Sequence, residues 1–264
     1  MKPSSELSIA RVASVLTIAY LIWFLAPLLL TDIDPNATAP SGLDSIFSAG
    51  VGEVIVTAVL LVLIGLLGWW QIVGLKGRNE GGLKLILLPL AYSLLLIALA
   101  VWLAQSKGLS VIGLFDFHTL ALLFLISFLV GFNEEVIFRG FVFSGLIKNL
   151  NPLWAVILCA VIFGSFHLVN LIQGQPLDTT LSQVLQAGSM GFLYAALRLR
   201  LGSIWPVIFL HGFWDFSVSI MQQSAQLAGI QAGVTSGFHP LTGLPVLLYG
   251  VFVFWRWKVW ESKS

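Results

Sequence analysis

Three stretches of this sequence place acid–base side chains inside otherwise apolar segments. The first reads GFNEEVIFRG from 131 to 140 and carries two adjacent carboxylates and an arginine. The other two stretches contain a histidine, and a histidine followed by an aspartate. An ionisable group inside a membrane-crossing segment costs at least about 2.5–3.5 kcal/mol on insertion scales, so each one is a candidate for function. The six candidates are Glu134, Glu135, Arg139, His167, His211 and Asp215.

The spacing within the first stretch separates the roles of its two carboxylates. Glu135 and Arg139 are four residues apart, so on a helix they share a face and form a pair with the acid on the N-terminal side. Glu134 is rotated from Glu135 by about 100° on a helix with 3.6 residues per turn, and it lacks this local partner. An unpartnered carboxylate in an apolar setting is suited to accept a proton, so Glu134 is the candidate general base.

The histidines occur in two further motifs with helical spacing. In FGSFH, His167 follows Phe163 by one turn, so the two side chains are expected to pack on one face. In HGFWD, His211 and Asp215 are four residues apart and are also expected to point the same way. Counting residues from the predicted helix ends puts these groups and Glu134 at similar depths, in a cavity that we expect to open toward the cytoplasm.

These motifs must be positioned by membrane helices, because the whole chain is strongly apolar. Its 264 residues are 58% hydrophobic and 9% charged, whereas soluble domains carry about 25% charged residues. Apolar runs of the length needed to cross a bilayer predict about eight transmembrane helices in an all-α bundle, which we treat as one domain over 1–264. The predicted spans are 11–30, 51–73, 84–105, 118–141, 152–172, 181–200, 203–223 and 241–260. We expect the fourth helix to continue to about 147.

The distribution of charge predicts the topology and limits the partners. Lysine and arginine cluster at both ends and in alternate connections, so both termini are predicted to be cytoplasmic. The opposite connections are acidic and contain Asp116 and Asp178. Because topology accounts for the basic residues, we expect no nucleic-acid partner; the lipid bilayer is the expected surrounding. Glu53 lies at the outer edge of the second span, where its side chain can reach water, and we assign it no role in the site.

Two other functions could explain ionisable groups in these positions. Polar side chains can hold membrane helices together, at about 0.6–2 kcal/mol per contact. Proton- and ion-coupled transporters also use Glu, His and Asp in relays, but they usually contain paired interrupted helices in two repeated halves, and the sequence shows no such repeat. The lone Cys159 excludes an intrachain disulfide.

The three motifs together resemble those of the CPBP intramembrane proteases, the family of type II CAAX prenyl proteases and their bacteriocin-processing and immunity relatives. The family pattern is Glu-Glu-x-x-x-Arg, then Phe-x-x-x-His, then His-x-x-x-Asn or Asp. Here it reads EEVIFR at 134–139, FGSFH at 163–167 and HGFWD at 211–215. The resemblance covers about 115–225, which is the expected catalytic core.

The resemblance implies an endopeptidase that cleaves near the C-terminus of a hydrophobic or prenylated (CAAX-type) peptide or protein. Glu134 and His167 would activate a water, and His211 and Asp215 would face the oxyanion. Glu135, Arg139 and Phe163 would support these groups. The alternative is a non-catalytic immunity or scaffold protein of the same family. The expected location is the cell membrane of a prokaryote, or the endoplasmic reticulum or a plastid membrane of a eukaryote.

Asp215 departs from the asparagine of the best-known CAAX proteases, because an ionised carboxylate cannot donate a hydrogen bond. Three explanations are open: Asp215 is protonated, it orients His211 as the donor, or the site holds a metal. A zinc ion would be bound by Glu134, His167, His211 and Asp215, since such ligands suit Zn²⁺. The family was long classed as metallopeptidases, but its structurally described members favour a glutamate mechanism, so we expect no cofactor.

Overall fold

The computed structural model describes residues 11–22 (without 12, 16 and 21), 43–77, 82–108, 116–227 and 240–261. Within these ranges the regular elements are helices, without a strand, which confirms the all-α prediction. The first predicted span is helical as far as it is described, from 11 to 22. The predicted cytoplasmic termini and most of the two long connections, 31–50 and 224–240, lie outside the described residues.

Nine α-helices follow that first stretch within the described part of the chain. They are α1 Leu43–Leu67, α2 Leu87–Ser106, α3 Phe117–Glu135, α4 Phe143–Asn149, α5 Pro152–Phe166, α6 Val169–Ile172, α7 Leu177–Leu201, α8 Trp205–Leu227 and α9 Pro240–Glu261. A 3₁₀ helix, Leu83–Ile86, leads into α2, and a π-helix, Val136–Val142, joins α3 to α4. The fourth predicted span therefore continues to Asn149, as expected.

Four helical segments are long and apolar enough to cross a membrane: Gly50–Leu67, Leu83–Ser106, Phe117–Asn149 and Pro152–Ile172. They coincide with the second to fifth predicted spans. The sixth to eighth predicted spans are also helices, of 25, 23 and 22 residues. At about 1.5 Å per residue each of these is longer than a 30 Å hydrocarbon core. The total of eight spans stays a prediction.

Helix ends near the site follow from capping residues. Asp116 accepts hydrogen bonds from the backbone N–H of Thr119 at 2.9 Å and from its hydroxyl at 2.8 Å, which begins α3. Both bonds hold the pKa of the exposed Asp116 carboxyl below its usual value. Asn151 caps α5 in the same way, with Pro152 in the first turn as predicted.

Glycines bring the site helices into backbone contact. A Cβ at Gly131 would lie 2.7 Å from the amide nitrogen of Gly212, and a Cβ at Gly212 would lie 2.8 Å from Cα of Phe128. Helices α3 and α8 therefore meet where neither residue has a side chain. Small residues serve this purpose in membrane helices because they let backbones approach closely. Since Gly212 follows His211, the contact brings that histidine toward the last turn of α3.

Candidate active site

The two adjacent glutamates lie where α3 ends and the π-helix begins. Glu135 is the last residue of α3, and Arg139 lies within the π-helix. Such π-helical turns are rare and are frequent at functional sites. The sequence contains no signal that would have predicted this turn. Despite the change in helix type, Nη1 of Arg139 lies 2.6 Å from Oε1 of Glu135, and both side chains are fully buried, so the predicted pair is confirmed.

The Glu135 carboxylate also holds His211. Its Oε1 lies 2.7 Å from Nδ1 of His211, within hydrogen-bond distance. Because a carboxylate is an acceptor, Nδ1 carries the proton and donates it to Glu135. The remaining ring nitrogen, Nε2, lies 3.7 Å from Oε2 of Glu134 and 3.5 Å from Oδ2 of Asp215. One histidine nitrogen is thus anchored, and the other lies between two carboxylates.

Aromatic rings complete the surroundings of Arg139. Its guanidinium carbon lies 4.2 Å from the centre of the Phe163 ring and 5.4 Å from that of Tyr194. Contacts of this kind attract a cation to the negative face of a ring. These ring contacts stabilise a guanidinium whose Nε and Nη2 groups have no hydrogen-bond partner among the described residues. Phe163 therefore supports the site through Arg139 as well as through the histidines.

His167 follows the last residue of α5, so the fifth predicted span is not one continuous helix. Its Nδ1 lies 3.0 Å from the carbonyl oxygen of Phe163, one of the helix-end carbonyls that lack an intrahelical partner. Since a carbonyl only accepts, Nδ1 donates, and Nε2 is left with a lone pair. The Phe163 ring makes edge contacts with His167 at 5.2 Å and with His211 at 5.8 Å, between ring centres.

A cavity of about 320 Å³ brings these motifs together. His167, His211 and Asp215 line it, with Phe163, Tyr194 and Trp214 among the aromatic wall residues. Glu134 is not part of the lining. It is buried, and its Oε2 lies 3.7 Å from Nε2 of His211, which lines the cavity. The structure therefore places all six predicted residues at one site, with Glu134 at its edge. Their catalytic roles remain predictions.

The cavity extends in the direction opposite to the one expected. From the site its lining continues along the first half of α3, through Leu123, and along the first half of α7, through Gln183. These helix halves begin next to Asp116 and Asp178, which the charge pattern assigns to the outer side of the membrane. In that predicted topology the cavity extends toward the outer side of the membrane, whereas from the sequence we expected an opening toward the cytoplasm. The side on which the cavity opens stays a prediction, because it depends on the predicted topology.

The four proposed zinc ligands do not converge on one point. No group of three His, Cys, Asp or Glu side chains within the described ranges is arranged to hold a metal ion. Nδ1 of His211 and Nδ1 of His167 are both engaged within the protein. A metal site would need these side chains to rearrange, so no step of the chemistry below uses one.

The sequence interpretation missed a polar network next to the glutamates. Asn133, which is fully buried, donates to Oε2 of Glu53 at 2.7 Å and accepts from the hydroxyl of Thr57 at 2.8 Å. From the sequence we assigned Glu53 no role in the site, but its partly buried carboxylate takes part in this network beside the site. The available signal was the asparagine itself, an uncharged polar residue in an apolar segment directly before Glu134.

The motif-bearing part of the chain matches a known family. Residues 116–217 match the model of the type II CAAX prenyl endopeptidase Rce1-like family. The match covers 102 of the 264 residues, so the similarity to this family is shown for that segment of the chain. The segment begins at the residue that caps α3 and ends after Asp215, so it contains every site residue predicted from the sequence. Together with the apolar helices, this match shows an integral membrane protein.

One curated relative has a similar sequence over the same length of chain. The Bacillus subtilis (strain 168) protein named "Putative membrane peptidase YdiL" is 34% identical over 102 residues. The alignment covers 38% of this chain and 37% of the relative, so the chain spans well under half of the length of the curated relative that it matches. No solved structure matches the chain.

Proposed function

We propose that the protein is an intramembrane endopeptidase in which Glu134 activates a water to hydrolyse a peptide bond. One observation carries the proposal: Nε2 of His211 lies between Glu134 and Asp215 at a cavity, while Glu135 anchors the opposite ring nitrogen. This arrangement supplies a carboxylate base and an imidazole donor side by side. Peptide hydrolysis needs both, because a proton leaves the water as negative charge develops on the carbonyl oxygen.

In the proposed reaction, a water binds between Glu134 and Nε2 of His167. Glu134 takes one proton, and the water oxygen attacks the scissile carbonyl carbon to form a C–O bond. The charge that develops on the carbonyl oxygen is stabilised by the N–H at Nε2 of His211. Glu134 then gives its proton to the amide nitrogen as the C–N bond breaks, and a carboxylic acid and an amine leave.

Asp215 has an orienting role in this proposal. Of the three explanations for the aspartate, its 3.5 Å contact with Nε2 of His211 favours the one in which it holds the histidine as the donor. Glu135 acts on the opposite nitrogen, so both nitrogens face carboxylates and both keep a proton when the oxyanion forms. The proposed mechanism is therefore metal-free.

The proposed substrate is a hydrophobic or prenylated peptide or protein that is cleaved near its C-terminus. The family that residues 116–217 match is one of prenyl endopeptidases, and the similar Bacillus subtilis protein is named as a putative membrane peptidase. The aromatic wall residues Phe163, Tyr194 and Trp214 give the cavity an apolar side that suits such a ligand. The bilayer would present the substrate to helices that are themselves in contact with lipid.

Cleavage of a peptide library by the purified protein tests this function directly. The library contains prenylated and unprenylated peptides, and mass spectrometry identifies the products. We expect Glu134→Gln to lower the cleavage rate by at least about 100-fold, since general base catalysis contributes about 10²–10⁴. Asp178→Asn, which changes an exposed acidic residue away from the site, is the matched control and should cleave at the wild-type rate.

Each result of this experiment has a defined meaning. Cleavage that needs Glu134 and persists in a chelator supports the glutamate protease. Loss of cleavage in a chelator, restored by added Zn²⁺, overturns the metal-free mechanism. A folded wild-type protein that cleaves no member of the library overturns the proposed activity and favours the non-catalytic immunity or scaffold protein.

A further inference from the structure

Asn133 forms a hydrogen-bond network between α1 and the last turn of α3. Its Nδ2 group donates to the carbonyl oxygen of Glu53 at 3.0 Å and to the Glu53 carboxylate at 2.7 Å. Its Oδ1 lies 2.8 Å from the Thr57 hydroxyl. The same hydroxyl also lies 2.8 Å from the carbonyl oxygen of Glu53. Both N–H groups of the amide are therefore used, and its oxygen shares the single Thr57 hydroxyl proton with the Glu53 carbonyl oxygen; the two bonds to Glu53 fix the orientation of the side chain.

Glu134 depends on its neighbours for its position. Among the described residues no hydrogen bond to its carboxylate is present, and its nearest charged partner is Nε2 of His211 at 3.7 Å. The residue before it, Asn133, is tied to α1, and the residue after it, Glu135, is tied to His211 on α8. The backbone that carries Glu134 is thus held from two sides, directly before the π-helical turn.

We propose that Glu53 and Asn133 are positioning residues that keep the Glu134 carboxylate directed toward His211. The catalytic meaning of this inference rests on the proposed function, whereas the positioning itself does not. The helix changes from α to π directly after Glu135, and such turns are rare and frequent at functional sites. The bonds from Asn133 hold the segment before this turn against α1.

A general role as a helix contact would not account for the composition of this network. A contact between membrane helices needs one donor and one acceptor, and a serine or threonine is sufficient for it. Here a partly buried carboxylate within a candidate membrane span accepts the bond, and an ionisable group in such a span is costly. The Glu53 carboxylate also lies within electrostatic range of Glu134 and Asp215. Variants must therefore separate the effect of the hydrogen bond on catalysis from the effect of the Glu53 charge.

Four variants make this separation in kinetic measurements on detergent-purified protein. Asn133→Leu removes the network and Glu53→Leu removes its shortest bond, whereas Glu53→Gln removes the charge but keeps an oxygen that can accept from Asn133. Ser93→Ala is the matched control, because Ser93 is a buried polar residue of α2 that binds only its own helix, at Pro89. We expect both leucine variants to lower kcat by about 10–100-fold with KM within about twofold, since a displacement of about 1 Å can cost that much in rate.

The conservative variant decides between positioning and charge. Glu53→Gln should recover most of the kcat that Glu53→Leu loses, and Ser93→Ala should match the wild type. Equal losses in Glu53→Gln and Glu53→Leu would overturn the inference, because the charge alone would then matter. Wild-type kcat in both leucine variants would overturn it while leaving the proposed protease function intact.

A second measurement does not depend on protease activity. In a Cys159→Ala background, Glu134→Cys is treated with a small methanethiosulfonate reagent, and the labelling rate is compared with and without Asn133→Leu or Glu53→Leu. If the network positions residue 134, the leucine variants should change the labelling rate by about fivefold or more, because a freed side chain samples other orientations. Unchanged rates overturn the inference. Changed rates in a protein that cleaves nothing would overturn the proposed function and support the positioning.

Discussion

Glu135 connects the first and third motifs of the site, because a single oxygen atom of its carboxylate contacts both Arg139 and His211. This accounts for the paired glutamates in the sequence. Glu135 is neutralised and anchored, which leaves Glu134 as the carboxylate without a hydrogen bond of its own among the described residues. The division of roles was predicted from spacing alone, because an i,i+4 pair is a local feature. The contact with His211 was not predictable in this way, since it joins residues 76 positions apart.

At the residue scale, two substitutions of Asp215 distinguish an orienting role from a need for negative charge. An asparagine can still accept from Nε2 of His211 and can also donate to an oxyanion. We expect Asp215→Asn to stay within about tenfold of wild-type kcat/KM. Asp215→Leu should lose about 100–1,000-fold, because His211, the proposed oxyanion donor, then loses its orientation. Peptide cleavage kinetics provide the measurement. Equal inactivity of the two variants would show that the carboxylate charge itself is required.

The helices reach their relative positions through glycine contacts and a change of helix type, and neither was visible in the hydrophobic pattern. Helices α3 and α8 touch at Gly131 and Gly212, one turn away from Glu135 and next to His211. The pattern of apolar residues predicted the helices because hydrophobicity and length are properties of a segment. It did not predict the end of α5 at Phe166, where the His167 side chain binds a carbonyl that the helix leaves free.

At the element scale, adding one methyl group at Gly212 should separate α3 from α8. A Cβ there would lie 2.8 Å from the backbone of Phe128, which cannot move aside like a flexible side chain. We expect Gly212→Ala to destabilise the protein by about 1–3 kcal/mol, the usual cost of overpacking. Cleavage should fall by about tenfold or more, because His211 moves with the helix.

Thermal unfolding in detergent and peptide cleavage measure these two effects. The matched control is Gly65→Ala on α1, where the nearest atom to the new Cβ would be 3.8 Å away, an ordinary contact. A Gly212→Ala protein with the stability and activity of the Gly65→Ala protein would contradict the proposed close contact.

For the whole molecule, the direction of the cavity determines from which side of the membrane a substrate arrives. The lining extends toward the ends of α3 and α7 that lie beside Asp116 and Asp178. The charge pattern assigns these ends to the outer side, and Lys148 at the end of α4 to the cytoplasmic side. A substrate would then reach the site from the outer half of the bilayer.

Labelling of single cysteines in intact cells tests this topology. In a Cys159→Ala background, Asp178→Cys should react with a membrane-impermeant maleimide, and Lys148→Cys should react only after the membrane is permeabilised. Both changes are at helix ends away from the site, so cleavage activity serves as the folding control. The reverse labelling pattern would show that the arginine and lysine distribution was misread and that the cavity opens toward the cytoplasm.

The sequence by itself determined that this is a membrane protein and which residues are candidates for its chemistry, because both depend on local features. Apolar length specified membrane helices, the i,i+4 spacings specified the Glu135–Arg139 pair and the shared face of His211 and Asp215, and three motifs in order indicated the family. Only the tertiary structure decided which nitrogen of each histidine is anchored, that Glu53 binds Asn133, and where the cavity lies. Those features depend on side chains from different helices, and their relative rotation is set by backbone contacts and by a π-helical turn that no residue pattern encodes.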